Sequence, residues 1–405
     1  MVPLRFGRTR ALLLSDPALI EEVLVTQRES FIKARPVRAL HHLFGSGLLT
    51  NEGDSWRKQR RLAQPSFSPR ALGGYAQGVV SRTSIALDLW KDGDAIDVHQ
   101  EMKQLLMRII AEALFGADVS EEGAGIGMAL EAVMDRYSAR RGAARFAPDW
   151  VPLPQTRRYL EGVRSIDEFV GRVIAERKNS VMARRDLLYM LLQSRDEHGK
   201  PMPERQVRDE AITLFVGGFD TPALAMSWTW YLLAMHPDAA KSVAGEVDTV
   251  LSGSAPSYES VSRLSFADAV IKESMRLYPP AWIISREAIS DTIIGGRRIP
   301  AGTAVLISQW VMHRDPRFFE NPDKFIPERW LDSRASSLPR FAYFPFGGGP
   351  RVCIGASFAM METTLILAML AQRFVFNLAA GAAVIPRAAM TLRPRDGIPA
   401  TVIRR

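Results

Sequence analysis

The sequence predicts a mainly α-helical chain carrying small β-sheets, and three observations predict it. An apolar segment over residues 208–235 reads as one helix of roughly thirty residues, on the order of 45 Å at the rise of an α-helix. Residues 356–371 are rich in Ala, Leu and Met and read as a second helix. Strand signals are short and confined to the two ends and to the region after Tyr278.

Taken in order, residues 2–7 and 10–14 look like two strands, followed by a helix that begins near Asp16 and Pro17. Helices then predominate to Tyr278. Within them, Ser265-Phe266-Ala267-Asp268 reads as the capping-box start of a helix that Pro279-Pro280 ends. Short strands recur at residues 283–286, 292–294 and 304–308. An irregular stretch follows over 314–345. Residues 384–402 read as terminal strands around an Asp396-Gly397 turn. No linker, low-complexity run or repeat divides the chain, so one domain over residues 1–405 is expected.

The chain is 47% hydrophobic with a formal net charge of +8, ample for a large core and mildly basic. Lys and Arg are scattered rather than gathered in a recognition module, which argues against nucleic-acid binding. No apolar run approaches the ~20 residues of a membrane span and no signal peptide is visible, so a cytoplasmic protein without a membrane anchor is expected. Cys353 is the only cysteine. It excludes an internal disulfide, a Cys-rich zinc site and an iron–sulfur cluster. The six histidines show no ligand spacing, and His313 reads as structural.

A lone cysteine is most often a small buried hydrophobe. Its neighbours here point elsewhere. It lies in Phe346-Gly347-Gly348-Gly349-Pro350-Arg351-Val352-Cys353-Ile354-Gly355, just before a predicted helix. The helix N-terminus favours a negative sulfur, and Arg351 adds a nearby positive charge. Phe346, Gly349, Arg351, Cys353 and Gly355 together resemble the haem-binding loop of the cytochrome P-450 family, and further marks of that family follow in order along most of the chain. The resemblance implies the P-450 fold, haem b as cofactor and Cys353 as the axial ligand of the iron.

Glu273 and Arg276 lie three apart on one helical face, and Pro327-Glu328-Arg329-Trp330 follows downstream. The resemblance implies a buried network of Glu273, Arg276 and Arg329 that holds the cysteine loop. In the long helix, Gly217-Gly218-Phe219-Asp220-Thr221-Pro222 invites a bulge or kink. The resemblance implies that Asp220 and Thr221 relay protons toward dioxygen. A purely structural alternative has Thr221 bonding back to a carbonyl and Asp220 capping a broken helix. Pro222 departs from the Thr or Ser common at that place in the family. Trp56, Arg60, Arg286 and Arg351 match positions that hold the haem propionates. Substrate-pocket candidates by family position are Leu40, Leu43, Phe44, Leu48, Leu214, Phe215, Gly217, Gly218, Trp282, Ile283, Met390 and Thr391, with further candidates over residues 136–159. They are chiefly apolar, which suits a terpenoid, fatty acid, steroid or polyketide-like molecule.

Three functions are open at this stage. The first is a soluble, bacterial-type monooxygenase using O2, with electrons from a separate ferredoxin or flavodoxin and an NAD(P)H-dependent reductase. The second is a peroxide-using peroxygenase. The third is a non-enzymatic carrier of haem or an apolar ligand. Asp220 and Thr221 argue for the first. Family members usually carry a few dozen residues before the point matching Met1, so a shortened N-terminal segment is also expected.

Overall fold

The computed structural model describes residues 1–116, 126–129, 132–133, 154–179 and 186–405. The pocket candidates over residues 136–153 lie outside the described residues. Strands β1 (Val2–Phe6) and β2 (Thr9–Leu14) form an opening hairpin, and Asp16 caps the short helix after it by accepting from the Ala18 amide at 3.0 Å. Then come β3 (Phe31–Lys33), α1 (Gly53–Ala63), α2 (Pro69–Leu87), β4 (Ala95–Asp97) and α3 (Val98–Phe115). The helical part continues through α4 (Pro154–Asn179), α5 (Leu187–Gln193), α6 (Glu204–Met235), α7 (Pro237–Leu251) and α8 (Ser265–Leu277). Strands β5 (Ile284–Ala288), β6 (Thr292–Ile294), β7 (Arg297–Ile299) and β8 (Ala304–Ile307) follow. The chain closes with α9 (Ala356–Arg373), β9 (Phe374–Leu378), β10 (Pro386–Ala388), β11 (Leu392–Pro394) and β12 (Pro399–Arg404).

The strands sort into a five-stranded sheet in the order β1-β2-β8-β5-β3, a three-stranded sheet β4-β12-β9, and two hairpins, β6-β7 and β10-β11. In the large sheet β2 runs parallel to β8, with Leu14 opposite Ile307. Its apolar face covers Ile20, Leu24, Phe341 and Phe344, while the helices enclose a separate and larger apolar core. Strands β3, β4, β7 and β9 were not expected from the sequence; β3, β4 and β7 have three residues each, which seldom show an alternation, though β6 is as short and was expected.

Helix α6 crosses this core and is buried over most of its length. Helix α3 packs so closely on it that a Cβ at Gly218 would lie 2.6 Å from Ile110 Cδ1. The expected bulge is absent: residues 217–222 stay α-helical, with Pro222 inside the helix. Thr221 Oγ1 instead donates to Gly217 O at 2.9 Å, while Asp220 caps nothing. The start of α8 also differs from the expectation. The Phe266 and Ala267 amides donate to the Glu246 carboxylate of α7 at 2.7 and 2.9 Å, and Ser265 turns its hydroxyl to the same group. A cap supplied from another helix leaves no local signature.

Candidate active site

The cysteine loop is shaped by close backbone approach. Gly347 and Gly349 have φ of +75° and +64°, in the region that favours glycine. A Cβ at Gly349 would lie 2.0 Å from Leu24 O, and one at Gly348 would lie 2.2 Å from the Phe341 ring. Gly355 is different, since a Cβ there would make only ordinary contact with Phe67. Phe346 packs against the helical core and its carbonyl accepts from the Cys353 amide at 2.9 Å. Cys353 then stands three residues before the first residue of α9. Cys353 is exposed to solvent, although protein surrounds its thiol on most sides. Burial pushes the thiol pKa up from its ordinary value, opposed by the Gly355 amide and by the charge of Arg60.

The nearby cation is therefore Arg60, not Arg351. Arg60 lies on α1 and donates to Val352 O at 2.8 Å. Arg351 turns the other way. It pairs with Glu52, donates to Asn51 O at 2.9 Å, and lays its guanidinium 3.7 Å from the centre of the buried Trp56 ring. Arg286 of β5 lies in register with Lys33 of β3, two cations directly opposed across strands. Such a pair is unfavourable unless an anion offsets it. Glu52 is shared among them: it accepts from the Lys33 amide at 2.9 Å and pairs with Arg351. Burial, helped by Arg351 and Arg286, lowers the Lys33 pKa to about 7, and burial lowers the Arg286 pKa too.

Behind the loop, Glu273 and Arg276 are both fully buried. Arg276 holds Glu273 with two parallel bonds of 2.8 and 2.9 Å and also donates to the carbonyls of His313 and Lys324 at 2.8 and 2.9 Å. Arg329 and Trp330 complete the set, donating to Glu273 at 3.1 and 2.9 Å. His313 is fully buried, and its Nε2 accepts from the Phe344 amide at 2.9 Å, three residues before Gly347.

On α6, the middle of an otherwise buried helix opens at Gly217, and Thr221 is half-buried one turn on. A Cβ at Gly217 would meet nothing within 4 Å. Asp220 is only 5% exposed and accepts from Thr391 Oγ1 and Arg393 Nη2, each at 3.2 Å. Among the pocket candidates, Leu43, Phe44 and Phe215 are closed within the core, Phe215 against the rings of Phe115 and Phe169. Leu40, Leu48 and Leu214 are buried with a sliver of exposure. Trp282, Ile283 and Met390 are half-buried, and the Trp282 indole donates to Ala389 O at 2.9 Å.

The chain matches the family model described as Cytochrome P450 over residues 1–397. It belongs to the cytochrome P450 family. This P450 is 37% identical to the cyclooctatin synthase of Streptomyces melanosporofaciens over 97% of its own length and 86% of the relative's. It is 36% identical to the cyclooctat-9-en-7-ol 5-monooxygenase of the same organism, over 92% and 82% of the two chains. Similarity to the pentalenene oxygenase of Streptomyces avermitilis is 32%, over 97% and 87%. With such relatives the chain is an oxidoreductase of the haem-thiolate type. No helix among the described residues is long and apolar enough to cross a membrane.

The donor set fits an iron porphyrin. An exposed thiol can ligate iron, and Arg286 and Arg351 suit its two carboxylates, while the Lys33 ammonium opposite Arg286 is bonded to the Leu48 and Leu49 carbonyls. Sequence reasoning missed Lys33, Glu52 and Arg393. Lys33 sits on the unpredicted β3. Arg393 had a usable signal: it is two residues from Thr391 in a predicted strand, hence on the same face.

Proposed function

We propose that this P450 is a haem b monooxygenase that inserts one atom of O2 into a terpenoid, with Cys353 as the iron ligand. Its electrons come from a separate ferredoxin or flavodoxin and an NAD(P)H-dependent reductase. The observation that carries the reading is the exposed Cys353 thiol at a glycine-rich helix start, backed by the buried Glu273–Arg276–Arg329 network. The terpenoid assignment is supported by the names of the relatives and by the apolar Trp282, Ile283 and Met390.

When bound, haem supplies the activation of dioxygen. The protein's part is derived from its own side chains. Cys353 would hold the cofactor by its sulfur, with the Gly355 amide and Arg60 favouring the anion. Arg286 and Arg351 would hold the carboxylates of the cofactor, with Lys33, whose ammonium is bonded to the Leu48 and Leu49 carbonyls, adding charge nearby. Gly217 leaves room on α6, Thr221 presents a hydroxyl there, and Asp220 supplies an acid one residue away. The half-buried aromatic and aliphatic side chains exclude water from that space.

The test has two parts. The dithionite-reduced, CO-treated protein is expected to show the red-shifted Soret band of a thiolate ligand, and Cys353→His is expected to lose it; a variant that kept the band would remove Cys353 from the role. Cyclooctat-9-en-7-ol and pentalenene are then titrated for a haem spin-state change, and turnover is followed under labelled dioxygen. Incorporation of one labelled atom supports the monooxygenase. Faster turnover with hydrogen peroxide alone than with the reductase system replaces it with the peroxygenase.

A further inference from the structure

Helix α1 carries Arg57, Lys58, Arg60 and Arg61 beside the cysteine loop, and all but Arg60 are already paired. Arg57, Arg60 and Arg61 lie three and four residues apart on one face, with Lys58 alongside. Arg57 pairs with Asp54 of its own helix and with Glu29. Lys58 Nζ donates to Asp196 Oδ2 at 2.6 Å, and Arg61 Nη1 donates to Glu197 Oε2 at 3.1 Å. Arg60 meets no carboxylate among the described residues. It donates to Val352 O at 2.8 Å and to Gln64 Oε1 at 3.0 Å.

Asp196 and Glu197 come from the turn between α5 and α6. Arg195 and Pro201 bridge the two sides of that turn, and Gly199 takes a φ of +72°. Asp196 Oδ1 accepts from the His198 and Lys200 amides at 2.9 and 2.8 Å, which leaves Oδ2 for Lys58. The Lys58 bond and the Lys200 amide lower the Asp196 pKa to about 2, so it is an anion at neutral pH. Glu197 stands on a different footing. Its side chain is 66% exposed and that of Arg61 71%, and an exposed pair of this kind adds little to stability. The turn also carries Arg195 and Lys200, but its two carboxylates are the groups bonded to the α1 cations.

This face adjoins the iron ligand proposed above. Arg60 bonds to the residue before Cys353, Val352 is 36% exposed, and Phe67, just after α1, lies beside Gly355. Electrons cross between proteins only over a short gap, so a donor to iron on Cys353 docks near these residues. A net charge of +8 would by itself draw an acidic donor strongly, but the charge that a docking partner meets is local. We propose that Asp196 and Glu197 are built-in counter-charges of the electron-donor face: they cancel α1 cations that would attract an acidic one-electron carrier, which therefore docks on Arg60 and Val352 with weak electrostatic steering. Each docking passes one electron from the reduced carrier to the haem iron. The proposal rests on the reading of the protein as a monooxygenase fed by a separate ferredoxin or flavodoxin. It requires no movement of the turn, because each carboxylate weakens the field of its cation where it stands.

The experiment uses the haem-loaded wild type, Asp196→Asn/Glu197→Gln, Glu197→Gln alone, and a control with the same charge change, Glu161→Gln/Glu168→Gln, at exposed positions of α4. Asn at 196 keeps an acceptor for the His198 and Lys200 amides. Reduced plant-type ferredoxin, and in a second series reduced flavodoxin, is mixed with each protein under CO. Growth of the ferrous–CO band gives a second-order rate across a salt series. For the carrier that reduces wild type faster, the double turn variant is expected to react at least about threefold faster than wild type at low salt. Its rate is expected to fall more steeply with salt and to meet the wild-type rate at high salt. Glu197→Gln alone is expected to show part of that gain, and the α4 control to stay near wild type. Equal rates and salt slopes in the double turn variant and wild type overturn the proposal. An equal gain in the α4 control also overturns it, by assigning the effect to net charge. If the double turn variant yields no folded holoenzyme, Glu197→Gln decides by the same readout, wild-type behaviour overturning. If dithionite reduces the proteins but neither carrier does, the external-donor reading fails and the proposal fails with it.

Discussion

Thr221 and Glu362 are two polar residues whose surroundings lead to opposite expectations. The Thr221 hydroxyl is tied to Gly217 O but lies on the half-open side of α6. A back-bond of this kind adds little to helix stability. Thr221→Val keeps the branched shape and is expected to retain haem and melt within a few degrees of wild type. More of its NAD(P)H consumption is expected to end as peroxide, read as product and peroxide per NAD(P)H. Equal coupling in the two proteins would remove Thr221 from the relay. Glu362, on α9 nine residues after Cys353, is fully buried, and neither carboxyl oxygen has a hydrogen-bond partner. Burial raises its pKa well above the ordinary value. The folded state keeps a proton that the unfolded state releases above its own pKa of about 4.5. The proton linkage of this group therefore costs nothing at low pH and costs stability increasingly as pH rises. Glu362→Gln is expected to gain on wild type by up to about 1.4 kcal/mol per pH unit above pH ~5, read by urea unfolding across pH. A pH-independent difference would mean that Glu362 is ionised in the fold.

At the scale of elements, the cysteine loop depends on segments distant in sequence. The Glu273–Arg276 pair of α8 binds the stretch after His313 through carbonyls, and His313 in turn holds the Phe344 amide at the loop's entrance. Removing one partner leaves a buried charge alone, at a cost of ~3–5 kcal/mol. Arg276→Ala is expected to give little soluble haem-loaded protein, checked by yield and by haem absorbance per protein. Normal yield and haem content would show that the network is dispensable. Much of this was readable in advance. The Glu–Arg spacing, the downstream Arg329, the apolar runs of α6 and α9 and the Pro279-Pro280 stop after α8 all carry local signals. The trans cap from Glu246 and the five-stranded sheet order carry none, because both join segments far apart in the chain.

For the whole molecule, buried titratable groups give the fold opposing pH dependences. His99 and His313 are held neutral by burial, with pKa values lowered to about 3. The unfolded chain binds protons at both below pH ~6.5, so their contribution is full above that pH and is lost as pH falls toward 3. Glu362 acts in the reverse sense, as does Glu210, whose pKa burial raises to about 7. His99→Gln is therefore expected to lose less stability than wild type between pH ~6.5 and 4, by about 1.4 kcal/mol per unit, while Glu362→Gln shifts the same curve in the opposite sense. Urea midpoints on one pH series test both, and parallel curves for wild type and His99→Gln would show His99 to be solvated.

By itself the sequence determined the helical class, the lone thiol at a helix start, the Glu273–Arg276 spacing and the acid–alcohol pair on α6, because each is written within about ten residues. The tertiary structure decided which cation faces Cys353, that Lys33 opposes Arg286, and that Asp220 is held by Arg393. The reason is physical: a backbone pattern sets which residues share a face, but a charge is paired only when packing removes water and brings another segment within hydrogen-bond reach. In the sequence Arg351 is the neighbour of Cys353, and Arg60 lies far away in the chain. Only the ring of Trp56 and the carboxylate of Glu52, brought in by another part of the chain, draw Arg351 away and leave Arg60 beside the sulfur.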